Sequence, residues 1–191
     1  LHVTIRPVNS PYQQLVREVD QVTIELSNLY QDHLQCRAGC SSCCHHHLSV
    51  FEVEAKAVSA AINALPLEVQ TAVEEQAAAV LELEGQGSPV SCPLLIDDRC
   101  SIYENRPIIC RTQGLPILLT DDDGVDEVDW CPLNFTSEAA EDDLDEAHLL
   151  RLDPLNLKLA VVNLNDSRES GLPDEVIGAR KTMAEIILSR R

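Results

Sequence analysis

Apolar and polar positions along this chain alternate mostly at helical spacing. Leu15, Val19, Val22, Leu26 and Leu29 recur four and three residues apart, which predicts a long helix over residues 10–34. Asn9, Ser10 and Pro11 supply its start signal, with proline at the first helical position. Ser49-Val-Phe-Glu52 matches a capping box and predicts a second helix running to about Leu65. Pro66 opens a third that continues to about Glu84 and is ended by Gly85 and Gly87. The alanine-rich faces of these two helices, Ala57, Ala60, Ala61 and Ala64 against Ala72 and Ala77 to Ala79, predict a close helical hairpin. Residues 88–136 read as loop-rich, except that Ile117 to Leu119 and Val125 to Trp130 flank Asp121-Asp122-Asp123-Gly124 as a short β-hairpin. Helices are expected over Ser137–Leu150, Pro154–Asn165 and Pro173–Ser189, the last carrying Arg180, Lys181, Arg190 and Arg191 toward its end. The fold class that follows is mainly α. It is a helical bundle with a loop-rich region over about residues 36–135 and helical flanks at 10–34 and 137–189, read as one domain over residues 1–191.

Composition narrows the classes. Aliphatic residues are plentiful and aromatics make up only 3% of the 191 residues, which suits helical packing better than a β-sandwich. A formal charge of −18 argues against nucleic acid and anionic membrane surfaces, both of which need clustered Lys and Arg. No apolar run approaches a membrane span, and Leu1-His-Val-Thr-Ile-Arg-Pro7 does not read as a signal peptide, so a cytoplasmic location is expected. Between Arg111 and Arg151 there is no Lys or Arg, while Asp121 to Asp123, Asp126, Glu127, Asp129 and Glu138 to Glu146 crowd together. The run lacks the alternating oxygen ligands and closing glutamate of an EF-hand. It reads as a solvated acidic face, with a basic protein partner as the alternative.

The chemistry lies in the cysteines. All eight fall between Cys36 and Cys131, four of them in Cys36-Arg-Ala-Gly-Cys40-Ser-Ser-Cys43-Cys44, the others at Cys92, Cys100, Cys110 and Cys131. Thiolate is a soft ligand for zinc, iron–sulfur clusters or copper(I), and short spacings let one loop wrap an ion, helped here by Gly39. Disulfide frameworks belong to short secreted chains with small cores, and neighbours such as Cys43 and Cys44 pair poorly with each other. All eight are therefore candidate metal ligands for zinc, iron or an iron–sulfur cluster. Cys43 and Cys44, if extended, point to opposite sides and serve different ions or different corners of a cluster. Two metal ions or one polynuclear cluster fit the count.

One of His45, His46 and His47 is a further candidate ligand, the others forming a polar entry to the second helix. Pro107 can start a helical turn that holds Cys110 near the positive end of the helix dipole. Arg106 and Arg111 flank the cysteines; each is expected in a salt bridge, the alternative being to offset thiolate charge or bind an anion. Tyr103 reads as a packing residue with its hydroxyl satisfied. The spacing Cys36-x₃-Cys40-x₂-Cys43 also occurs in radical S-adenosylmethionine enzymes, but those place it after the first strand of a β/α barrel, and here it follows a long helix.

The segments Cys92-Pro-Leu-Leu, Cys100-Ser-Ile-Tyr-Glu-Asn-Arg-Pro-Ile-Ile-Cys110-Arg and Trp130-Cys131-Pro-Leu, downstream of a Cys-Cys pair, resemble one family. It is the cysteine-cluster family described as a zinc- or iron-chelating domain and named for its CxxCxxCC motif. The resemblance covers about residues 36–135, and Cys-x-Ile-Tyr-Glu-x-Arg-Pro-x-x-Cys-Arg is its most specific part. The chain departs in one place: three residues, not two, separate Cys36 from Cys40. The resemblance implies a zinc- or iron-binding protein. Because members are often labelled iron–sulfur oxidoreductases and a flagellin lysine methylase carries a related motif, it implies as the alternative an iron–sulfur oxidoreductase or a protein-modifying enzyme acting on a protein substrate. No nucleotide-binding glycine loop, serine-hydrolase elbow or zinc-protease helix is present.

Overall fold

The computed structural model describes residues 10–83, 90–121, 123–137 and 141–190. Six α-helices and seven short strands follow one another as α1 (Pro11–Leu29), β1 (Ser49–Phe51), α2 (Glu52–Asn63), α3 (Leu67–Leu83), β2 (Leu95–Ile96), β3 (Arg99–Cys100), α4 (Ile108–Thr112), β4 (Ile117–Thr120), β5 (Asp126–Asp129), β6 (Leu150–Arg151), α5 (Leu152–Glu169), β7 (Arg180–Thr182) and α6 (Met183–Ser189). The chain is mainly α, as its periodicity predicts. Among the described residues no helix is long and apolar enough to cross a membrane.

Ser10 and Gln13 form a reciprocal capping box at the start of α1, and Pro11 occupies its first turn. Asn9 lies outside the described residues. Tyr12, Leu15, Val19 and Leu26 are buried, while Val22 and Leu29 of the predicted stripe face solvent. The helix stops five residues before the predicted end. Backbone groups at His33 and Gln35 bond Phe135 and Asn134 instead of continuing it, and this tie carries the chain into the first cysteine loop.

The predicted capping box at Ser49 is replaced by another device. Ser49 to Phe51 pair antiparallel with Thr182 to Arg180, and Glu54 reaches back to accept the Phe51 amide. Glu54 is buried to 1% exposure, and its second oxygen accepts the amide of Ile108 at the start of α4. One carboxylate thus closes the first turn of α2 and fixes α4, the helix that carries Cys110. The predicted alanine hairpin also differs. α6 packs against both α2 and α3, so Val58 and Ile62 of one and Val73 and Ala77 of the other meet Met183, Ala184, Ile186 and Ile187. Ala60, Ala64, Ala78 and Ala79 are exposed. Gly85 and Gly87 lie outside the described residues.

A second apolar cluster joins Tyr12, Leu15 and Val19 of α1 to Val53, Ile108 and Leu159. A third gathers Leu26, Tyr30, Leu115, Phe135 and Leu150 below the acidic region. The predicted hairpin is present: Ile117 to Thr120 pair with Asp129 to Asp126, and Gly124 takes the turn at φ +80° while Asp121 accepts the amides of Asp123 and Val125. β6 adds to β4 in parallel. The predicted acidic helix is absent from its described part. Short 3-10 turns at Glu141–Asp143 and Glu146–His148 stand there instead. Like charges three and four residues apart oppose a helix, and Asp145 caps Ala147 locally; Glu138 lies outside the described residues. The expected last helix shrinks to α6, because Gly178 at φ +98° breaks it and Thr182 and Glu185 form a new capping box. Arg180 and Lys181 consequently sit on β7, not on a helix end.

Candidate metal centre

The first cysteine segment leaves α1 under close control. Phe135 packs among Tyr30, His33 and Trp130, with ring centroids at 5.4, 5.2 and 5.7 Å. Asn134, 1% exposed, accepts the Gln35 amide at 2.8 Å and donates to the Gly114 carbonyl at 2.7 Å and to the Cys36 sulfur at 3.6 Å. Those contacts bring the Trp130-Cys131-Pro132 segment beside Cys36, almost a hundred residues earlier in the chain. Gly39 turns the loop at φ +88°, the Cys40 amide donates to Arg37, and Cys43 and Cys44 follow in the 3-10 turn Ser42–His45. The pair is therefore not extended as expected: both sulfurs line the same cavity.

The second group of cysteines is fastened to the first by backbone. The Cys92 amide donates to the Cys44 carbonyl at 2.6 Å. Leu95 and Cys100 face each other across the β2–β3 hairpin, whose two turn residues, Asp97 and Asp98, both have positive φ. Asp98 also accepts the Ser41 hydroxyl at 3.1 Å, closing the hairpin onto the first loop. As predicted, Pro107 starts a helical turn and Cys110 sits inside it, its amide donating to the Pro107 carbonyl. Arg111 makes the expected salt bridge, its Nη1 donating to both carboxylate oxygens of Asp20 at 2.6 and 2.8 Å, while Nε and Nη2 donate to the carbonyls of Arg106 and Glu104. It pins the Cys100–Cys110 segment to α1 and is a structural clamp.

Together these elements enclose a cavity of about 800 Å³. Cys36, Cys40, Cys43, Cys44, Cys92, Cys100 and Cys110 line it, with His46 and His47. Cys131 is outside its lining yet close enough to Cys36 to be felt electrostatically. His45 instead meets the Ser91 hydroxyl at 3.0 Å. All eight cysteines are free thiols. As the side chains stand, no three His, Cys, Asp or Glu groups among the described residues are close enough to share one ion. The donors suit soft metal chemistry nonetheless. The Asn134 amide donates to the Cys36 sulfur, and the backbone amides at Leu94 and Ile102 favour the thiolate forms of Cys92 and Cys100.

Burial works the other way. It pushes Cys92 up to about 11 and Cys110 up to about 12, and raises Cys36 and Cys100. Any gain from the helix start at Cys110 is overcome by burial and by the thiols of Cys92, Cys100 and Cys43. Cys44 is raised by its bond to Cys43, and that same bond, aided by His46 and Arg106, lowers Cys43 to about 6. Cys43 is the one sulfur that influences both Cys36 and the set of Cys44, Cys92, Cys100 and Cys110.

A family model, CxxCxxCC, with the description "Putative zinc- or iron-chelating domain", matches residues 35–132, just over half of the 191 residues. The chain belongs to the CxxCxxCC family. No curated protein and no solved structure matches it. The matched CxxCxxCC region spans all eight cysteines, and metal chelation is the activity its family description supports.

Several residues that shape this CxxCxxCC site carry no sequence signal of their own. Asn134, Glu54 and Asp20 act across 54 to 99 positions of chain, and Gly114 meets Asn134 across 20. Tyr103 departs from its expected packing role: it is 58% exposed, and the Arg106 guanidinium lies 3.8 Å over its ring. Arg106 departs too, since it makes no salt bridge among the described residues.

Proposed function

We propose that this CxxCxxCC protein holds zinc or iron through the thiolates of Cys36, Cys40, Cys43, Cys44, Cys92, Cys100, Cys110 and Cys131. The observation that carries the reading is the meeting of seven free thiols, from chain segments far apart in sequence, on the wall of one cavity. On this reading Cys36, Cys40 and Cys131 make one group and Cys44, Cys92, Cys100 and Cys110 the other, with Cys43 shared between them. Two four-coordinate ions or one polynuclear iron–sulfur cluster satisfy such a set. Loading has to draw the sulfurs closer than they stand. The Gly39 loop supplies the freedom, and the amide donors at Cys36, Cys92 and Cys100 stabilise the thiolate form. A zinc ion here would tie the loops together, and an iron–sulfur cluster would add electron transfer.

Proton counting tests this directly. A thiol binds metal only after losing its proton, so groups raised well above neutrality must release protons on loading. At pH 7 Cys36, Cys44, Cys92, Cys100 and Cys110 each give up about one proton, and Cys43, already near 6, gives up less. Affinity therefore rises with pH and collapses as pH falls. Calorimetric zinc and ferrous titrations of the reduced, metal-free chain in buffers of different ionisation heat measure the release. Roughly two or more protons per metal are expected. Binding without proton release would place the metal on carboxylates or histidines and defeat the thiolate reading.

A further inference from the structure

A metal centre does not account for the size or the walls of this cavity. Even two ions take only about the room of two water molecules, roughly 60 Å³, whereas cavities that hold small organic ligands measure roughly 300–1,000 Å³. At about 800 Å³ this one falls in the second class. The thiols occupy part of its lining. Ile24, Leu48, Val80, Leu94 and Met183 supply an apolar part.

Arg106 also lines the cavity. Its sequence neighbour Arg111 shows how arginines are satisfied in this molecule, through a carboxylate and two carbonyls. Arg106 has none of these. In a chain with 32 Asp and Glu, no described carboxylate, carbonyl or hydroxyl bonds its guanidinium. Its Nε is buried without a partner, the guanidinium lies on the Tyr103 face, and its charge acts on the Cys43 and Cys100 sulfurs without a hydrogen bond to either. A buried donor left unmet costs about 1–3 kcal/mol, and a guanidinium held flat on a ring keeps its donor edge free for a planar, bidentate acceptor.

We propose that the cavity beside the cysteines binds a small organic monoanion, a carboxylate with an apolar body, whose carboxylate is held by Arg106 and whose body lies on the Ile24–Met183 wall. A single negative charge is favoured over a polyphosphate, because the field of a molecule at −18 repels each further charge. The proposal takes its location from the metal reading but not its ligand chemistry, so the two fail separately.

Octanoate, with its neutral amide octanamide as control, is a suitable probe of the metal-loaded full chain, with metal content measured on every sample. Octanoate is expected to bind at least tenfold tighter than octanamide and to shift the Arg106 Nε and Met183 methyl resonances. Arg106→Gln should abolish the preference for octanoate in samples matched for metal content, and Arg106→Lys should retain part of it. Octanoate binding in a chain that holds no metal would uphold the anion site and refute the metal reading. Equal affinity for the two probes, or no binding of either, would overturn the proposal without recourse to any variant. So would an Arg106→Gln protein that keeps the preference while losing metal, since Arg106 would then only offset thiolate charge.

Discussion

Serine at Cys43 is expected to cost the protein more metal than serine at any other cysteine. In the proposed assignment this sulfur is shared by both groups of thiols, and its charge raises Cys36, Cys92, Cys100 and Cys110 as well as its neighbour Cys44. It is also the most readily ionised of them, lowered to about 6 by the Cys44 thiol, His46 and Arg106. A structural zinc site is worth some 10–16 kcal/mol shared by four ligands, so losing one thiolate costs about 3 kcal/mol, on the order of 100-fold in affinity. If Cys43 contributes to both groups, Cys43→Ser lowers the affinity of each. Cys40→Ser, at an exposed position reached only from the first loop, should affect one group and spare the other. Competition titrations with a chromophoric chelator resolve the two steps. Equal losses for the two variants would place Cys43 in a single group.

Gly114→Ala should be damaging to both stability and metal binding although it replaces no ligand. Gly114 has φ +92°, a conformation that costs an L-residue about 1–2 kcal/mol. A Cβ there would stand 2.8 Å from the Cys36 sulfur and 3.2 Å from Asn134 Nδ2, contacts that force one or the other to move. Asn134 is buried and fully used, holding Gln35, Gly114 and Cys36 at once. Adding about 1–3 kcal/mol for overpacking gives a total of roughly 2–5 kcal/mol. For a chain of this size that lowers the melting temperature by about 4–20 °C. The same displacement moves Cys36, so metal affinity in its group should fall alongside. A variant with wild-type melting temperature and metal content would show that Gly114 has slack around it that the structure lacks.

What the sequence reveals and what it hides divide along physical lines. The apolar stripe of α1, the Asp-Gly turn of the β4–β5 hairpin and the Pro107 start of α4 are local signals, and local chemistry decides them. The cysteine spacings point to metal chemistry for the same reason. The acidic stretch reads locally as a helix, yet like-charge repulsion and the pairing of Leu150 beside Pro116 override it. The last helix is cut short because β7 finds β1 some 130 positions earlier, a partner that no window of sequence contains. Site construction fails to show itself in the same way. Glu54 reads as a first-turn glutamate, and its amide bond to Ile108 depends on how α2 meets α4. Arg106 and Arg111 look equivalent in sequence. Asp20 on α1 takes only Arg111, leaving Arg106 to the cavity.

In the proposed function the eight sulfurs take up zinc or iron and in doing so draw residues 36–47 and 92–131 together. Its most direct test is elemental analysis and an absorption spectrum of anaerobically purified protein, paired with amide hydrogen exchange before and after chelation. Stoichiometric zinc with no visible band, or iron with visible charge-transfer absorption, is the predicted result. Removing the metal should then speed exchange in both segments while α2, α3 and α6 stay protected. Protein that carries neither metal after anaerobic purification, takes up neither when reduced, and exchanges identically with and without chelator would contradict the account.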